Sequence, residues 1–336
     1  MDLKTLTEIN APSGHEQAIR RFLLDELKKL GFAPVLDRMG NVVVVKEGTG
    51  DAPRKRVMVS AHMDEVGLIV TSATEDGYLR IAAAGGIDPR VLVSKRVTAG
   101  DDKLPGVIGA VPIHLQSAAE RKHVLSMDEL LVDIGAKSKD EAECKAPMGT
   151  YISFDTPYVE YGDGFACGKA FDDRVGCLSL LRLLQEELPV DLVACFVSEE
   201  EVGCRGAKGA AFQQEPDIGI VLEGTTCNDL GDVPETAHVC EAGQGVAVSF
   251  MDGASIANRA LFRKALDVAK QENIPHQVKH SVSGGNDGGA IQRAREGVPV
   301  VVLSVPCRYI HSPSSVVKLS DVESQFALVK ALVKAL

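Results

Sequence analysis

The sequence contains no tryptophan, and its aromatic share is only 4%. A binding surface built on stacked rings is therefore not expected, which weighs against sugar recognition. The eight cysteines include no C-x-x-C pair, so a zinc ribbon is not expected either. Cys195 sits inside an apolar run and reads as a small core residue; reduced thiols in a cytoplasmic protein follow. No apolar stretch approaches the length of a membrane span. The opening "MDLKTLTEIN" has an acid at its second position and no apolar core, unlike a signal peptide. Positive charge is also short, with Lys+Arg 36 against Asp+Glu 47 and a formal net charge of -11. That field argues against nucleic acid or an anionic membrane as a partner and is compatible with metal cations.

What is present is a core. At 336 residues and 45% hydrophobic content the chain can bury one large domain or two ordinary ones. The 32 glycines suit an α/β enzyme with many short turns. "SGHEQAIRRFLLDELKKLGF" predicts the first long helix, with Ser13 and Glu16 in capping-box spacing and Gly31 after the last apolar turn. "GNVVVVK" and "KRVMVSAHMDEVG" predict strands. From about Val66 the texture changes to short alternating runs such as "VGLIV", "YLRIAA" and "TYISF", separated by Gly, Asp or Pro, with one helix near Ser138–Cys144. This predicts a small β-barrel or sandwich ending near "EYGDGF". Afterwards α and β segments alternate to the C-terminus, which implies a parallel or mixed sheet covered on both faces. The reading is an α/β catalytic domain (1–65 plus 163–336) interrupted by a β-rich insert (66–162); tandem domains are the alternative.

Open α/β sheets place ligands beyond the carboxyl ends of their strands. "VMVSA" leads into His62 and Asp64, "LVACFVS" into Glu199, Glu200 and Glu201, "IGIVL" into Glu223, and "VVVLSVPCRYI" into His311. Asp172 and Asp173 open the helix in "GKAFDDRVG". Singly, each has an ordinary reading: a hydrogen-bonded histidine, a helix cap, a solvated acidic turn. Together they bring two histidines and several carboxylates to one sheet edge. Three adjacent glutamates are tolerable beside dense positive charge, which two divalent ions supply. Imidazole with carboxylate suits Zn²⁺ or Co²⁺, and the many oxygen donors allow Mn²⁺.

"AHMDEVG", "KAFDDR", "EEVGCRGA", "LEGTT" and "CRYIHSP" resemble the signature segments of the M42 metallo-aminopeptidases of the glutamyl and tetrahedral type. "PSGHE", "DRMGNV", "AAGGIDPRVL", "PGVIGAVPIHL", "VDIGAKSKDEAE" and "GGNDGGAIQ" extend the resemblance along nearly the whole chain. It implies a three-layer zinc-peptidase-like domain interrupted by a PDZ-like β-barrel used in assembly. It implies that His62, Asp172 and Glu223 hold one metal, that Asp172 bridges, and that Glu201 and His311 complete a second. Glu200 would be the general base and Asp64 the partner that orients His62. A shift of one residue along the triple glutamate would exchange base and ligand. The implied reaction is release of N-terminal residues from short peptides, by a homo-oligomer of dimers assembled into a tetrahedral dodecamer. Asp287 and Arg308 are further candidates for the pocket, with a helix cap and a surface arginine as the ordinary readings. Rival readings are a deacylase or glycosidase on the same scaffold, or a non-catalytic metal-stabilised assembly protein.

Overall fold

The structure, a computed structural model, describes residues 2–336. Alternation decides how its large sheet is buried. In Val42–Lys46, Val42 and Val44 enter the core on one face and Val43 the core on the other. In Asp191–Val197, Leu192, Ala194 and Phe196 take the first face, and Val193, Cys195 and Val197 the second. Successive strand side chains point to opposite faces, so a run apolar at every position needs cover on both. Gln17–Lys29, Phe171–Leu183, Arg259–Gln271 and Leu319–Lys334 cover the first face. Arg205–Gln214 and Asp287–Gln292 cover the second. The result is the expected three layers.

Among the described residues the sheet has eleven strands. Asp191–Val197, Arg56–His62, Ile218–Thr226 and Val300–Arg308 lie side by side and parallel. Val42–Lys46 runs antiparallel to Asp191–Val197, and Val246–Ser249 antiparallel to Val300–Arg308, so the sheet is mixed. The parallel strands all end at one edge, the place where such sheets carry their ligands.

Six antiparallel strands between Gly67 and Phe154 close into a separate barrel, Tyr151–Phe154 pairing back onto Gly67–Ala73. Leu68, Leu79, Ile108, Val132 and Ile152 are fully buried in its own core. The helix near Ser138 is present as Lys139–Lys145, with Ser138 as its cap.

Two local expectations differ. Residues 159–161, read above as part of the insert, pair with Phe165–Gly168 at the rim of the large sheet. The Gly162–Gly164 turn looks like a border but is a hairpin within that sheet. Ser13 and Glu16 form no capping box, and the Gln17–Lys29 helix has no side-chain cap. The Ser13 hydroxyl donates instead to Asp64 Oδ2 at 2.6 Å, because a buried carboxylate is the stronger acceptor.

A buried cationic pair fixes the segment that carries the site. Lys169 Nζ lies 2.7 Å from Glu65 Oε1, with both side chains almost wholly enclosed. The Arg174 guanidinium, fully buried, donates to the carbonyls of Met63 at 3.1 Å and Ile9 at 3.2 Å, and also to that of Leu6. Removing one partner from such a pair costs about 3–5 kcal/mol. These bonds tie the first helical turns, the end of Arg56–His62 and the start of Phe171–Leu183 into one block.

Candidate active site and metal centre

Strand register sets the level of the first site residues. Val197 pairs with His62, and Val221 with Ser60, so Glu223, two residues on, stands level with His62. His62 Nε2 is 3.6 Å from Glu223 Oε2 and 3.2 Å from Asp172 Oδ1. The other oxygen, Asp172 Oδ2, is 3.5 Å from His311 Nε2, which is itself 3.2 Å from Glu201 Oε2. The two oxygens of Asp172 thus face two different histidines.

Asp64 organises the opposite side of His62. Its carbonyl lies 3.2 Å from His62 Nδ1 and its carboxylate 3.5 Å away, so Nδ1 donates on this side and Nε2 faces Asp172 and Glu223. The same carboxylate accepts from the backbone N–H groups of Glu200 at 3.1 Å and Glu201 at 3.2 Å. One buried residue therefore sets both a ring and the turn that aims two glutamates inward. Glu199 turns away: its φ is 56°, and its carboxylate pairs with Arg205 at 3.2 Å. Asp173 points elsewhere, accepting from the backbone of His62 at 3.2 Å and Gly176 at 3.0 Å.

Electrostatics reflect the crowding. Burial, aided by Asp172 and Glu200, pushes the Glu201 carboxyl up to about 8. Burial also raises Glu200, and lifts Glu223 well above the usual carboxylate range. Burial works against ionisation of Asp172 too, but hydrogen bonds from His311 and His62 overcome it and hold this carboxyl below its ordinary value. For His311 burial opposes protonation, yet Asp172 and Glu201 lift it to about 9. Glu223 Oε1 is buried with no hydrogen-bond partner among the described residues. Two imidazoles cannot neutralise this many enclosed carboxylates, and an orphaned oxygen points among them. The donor set fits divalent cations: His62, Asp172 and Glu201 offer atoms all within 4.8 Å of one another, as do His62, Asp173 and Glu223. Of the two aspartates, Asp172 has the freer carboxylate, since Asp173 is committed to backbone donors.

A cleft of about 180 Å³ opens beside this cluster. Asp172, Glu200, Glu223 and His311 line it together with Lys279, Ser283 and Asn286. Among the described lining residues there is no Phe, Tyr or Trp. The barrel reaches the same place. A side chain at Gly85, where φ is 102°, would meet Glu201 Cβ at 3.3 Å, and one at Gly86 would meet His311 Nδ1 at 3.5 Å.

Sequence reasoning brought seven residues to this point, and the structure assembles all of them: His62, Asp64, Asp172, Glu200, Glu201, Glu223 and His311. It missed Ser13, Gly85, Gly86 and Lys279. Of these only the "AAGGIDPRVL" segment carried a signal. Arg308 does not line the cleft; it is engaged bidentately by Asp229 at 2.8 Å through both nitrogens. Asp287 does not cap its helix, a task done by Asn286, and lies behind Glu200 rather than in the cleft.

The family model for M42 glutamyl aminopeptidases matches residues 40–328. A lysyl aminopeptidase of Pyrococcus furiosus is 33% identical over 345 residues, covering 99% of this chain and 96% of the relative. Among solved structures, a TET aminopeptidase from a marine sediment Thaumarchaeota archaeon superposes with a TM-score of 0.94 at 33% identity, covering 99% and 95% of the two chains. The Pyrococcus horikoshii TET1 peptidase, which can assemble into a tetrahedron or a large octahedral shell, superposes at 0.87 with 33% identity, covering 99% and 98%. The sheet-edge cluster, the barrel insert and this end-to-end likeness agree: the chain belongs to the M42 family, metal-dependent aminopeptidases that hydrolyse peptide bonds.

Proposed function

We propose that the protein removes N-terminal residues from short peptides at a dinuclear centre, with His62, Asp172 and Glu223 holding one ion, Asp172 bridging, and Glu201 and His311 holding the other. The observation that carries this reading is the split carboxylate of Asp172, one oxygen facing each histidine. Two divalent ions there, zinc or cobalt by donor type with manganese allowed by the oxygen content, would polarise the scissile carbonyl and make a nearby water acidic near neutral pH. Glu200 accepts the proton of the attacking water and returns it to the leaving amine. Its burial, which raises its affinity for a proton, matches that task. Asp64 keeps His62 in the tautomer with Nε2 free, and holds the Glu200–Glu201 turn in place. A cleft this small accepts one residue at a chain end rather than a chain passing through.

Lys279 supports an acidic preference at that end. It is 7% exposed, its Nζ donates to the Ser283 carbonyl at 3.2 Å, and it enters no ion pair among the described residues. It is the one lysine or arginine lining the cleft. A substrate carboxylate would complete its hydrogen bonding. The absence of Phe, Tyr and Trp from the described lining weighs against a glycosidase. Eight free cysteines suit a cytoplasmic setting. Among the described residues no helix is long and apolar enough to cross a membrane. By likeness to the TET structures we read the working form as a homo-oligomer, a tetrahedral dodecamer built from dimers.

The test is a panel of Glu-, Asp-, Lys- and Leu-p-nitroanilides, with N-acetyl amino acids and carboxymethylcellulose beside them. It is run on chelated protein resupplied with Zn²⁺, Co²⁺ or Mn²⁺. The acidic anilides are expected to turn over fastest, and Lys279→Glu to shift the acidic-to-basic ratio by about 10-fold or more toward lysine. No aminoacyl turnover with any metal would overturn the reading.

A further inference from the structure

A second set of donor atoms lies behind Glu200, away from the cleft. The Cys204 thiol donates to Glu200 Oε1 at 3.3 Å. Asp287 is 1% exposed, and neither of its oxygens has a hydrogen-bond partner among the described residues. One donor atom from each of Glu200, Cys204 and Asp287 lies within 4.8 Å of the other two. None of these residues belongs to the ligand set around Asp172. A buried carboxyl with both oxygens idle, aimed at a thiol and a second carboxylate, is a cost without a return unless something binds there.

We propose that Glu200, Cys204 and Asp287 form a third divalent-metal site, selective for thiophilic ions such as Zn²⁺ and inhibitory when filled. Tetrahedral zinc, with Zn–S of about 2.3 Å and Zn–O of about 2.0 Å, sets sulfur-to-oxygen edges of about 3.5 Å. The Cys204–Glu200 separation of 3.3 Å is close to such an edge. On binding, the Cys204 thiol and the Asp287 carboxyl lose their protons to solvent, and the cation balances the charge they acquire. Burial and the neighbouring Glu200 charge favour the protonated Asp287 carboxyl in the free state, so uptake strengthens as pH rises.

The site has its own approach. A surface groove of about 1000 Å³ is lined by Cys204, Gly203, Met39 and Asn286 among others. Asn286 also lines the cleft, so the two openings meet at the residue next to Asp287. Arg205 and Arg295 stand in the same groove but are paired with Glu199 and Glu215. An ion entering there engages Glu200 from behind and removes the base from the reaction. The proposal rests on Glu200 as that base. It makes excess zinc inhibitory to an enzyme that needs zinc, whereas ions that bind thiolate poorly, such as Mn²⁺, have no such effect.

Titrating metal-free protein with Co²⁺ tests it. Neither expected site around Asp172 contains a thiolate, so a sulfur-to-cobalt charge-transfer band in the near ultraviolet should appear only with the third equivalent. Cys204→Ser and Asp287→Asn should each bind two equivalents without that band. The Zn²⁺ concentration that halves peak activity should rise about 10-fold or more in Cys204→Ser. A wild-type endpoint of two equivalents, a band that survives in Cys204→Ser, or an unmoved inhibition midpoint would each overturn the proposal. Should Cys204→Ser fold poorly, the wild-type stoichiometry and Asp287→Asn decide. The band needs no turnover: a protein that shows it but cleaves no peptide sinks the proposed reaction alone, and an active enzyme without it sinks this inference alone.

Discussion

The sheet unit and the barrel bury different things. Between Gly67 and Phe154, Ser153 is the one buried polar side chain among the described residues. The sheet unit encloses His62, Asp64, Glu65, Lys169, Asp173, Arg174, Glu223 and Asp287. Enclosed charge is costly unless paired, so a fold that only needs to be stable avoids it, as the barrel does. The sheet unit accepts that cost at one edge, and the edge is where the chemistry lies. Outside, the pattern reverses. The barrel exposes Val111 and Ile113 at 60% each, Val124 at 61% and Leu115 at 76%. Large apolar side chains left in solvent along residues 111–124 suit contact with another protein surface.

The contrast can be broken at three points. Glu200→Gln keeps the shape of the site but not its base; peptidase activity should fall about 10²–10⁴-fold while the two equivalents of metal expected around Asp172, measured by elemental analysis, stay bound. Retained activity would move the base elsewhere along the triple glutamate. Gly85→Val asks whether the barrel is a bystander. A β carbon there would press on Glu201 at 3.3 Å and on Val66 at 2.9 Å, in a backbone conformation that branched residues avoid. Metal retention after dialysis should weaken about 10–100-fold, and wild-type retention would show the two units to be independent at the site. Leu115→Glu should act on assembly alone: sedimentation should report smaller particles, with turnover of a small anilide within about 2-fold of wild type. An unchanged mass would remove this surface from the interface.

The parts of the site visible in the sequence are those set by strand ends. His62, Glu201 and Glu223 each follow an apolar run, and parallel strands must finish together. The parts that stayed hidden depend on contacts between distant segments. Nothing local tells Ser13 to donate to Asp64 rather than cap the helix beside it. Arg308 sits next to site residues and reads as part of the pocket, yet Asp229, 79 residues away, takes its guanidinium. Lys279 follows a strand of only three residues, His276–Val278, too short to announce where its end would point. The fold was more legible than the site because alternation repeats over many residues, whereas a contact such as Gly85 against Glu201 is a single event.

The barrel is strung between two of the site's own segments: the chain leaves just after Asp64 and comes back through Phe165–Gly168 to Asp172, while Gly85 and Gly86 rest against Glu201 and His311. Any force that steadies or tilts the barrel would therefore reach the proposed centre as a change in the spacing of Glu201 and His311. In the shell proposed for such subunits, each neighbour's grip would act as a splint on chemistry it never touches.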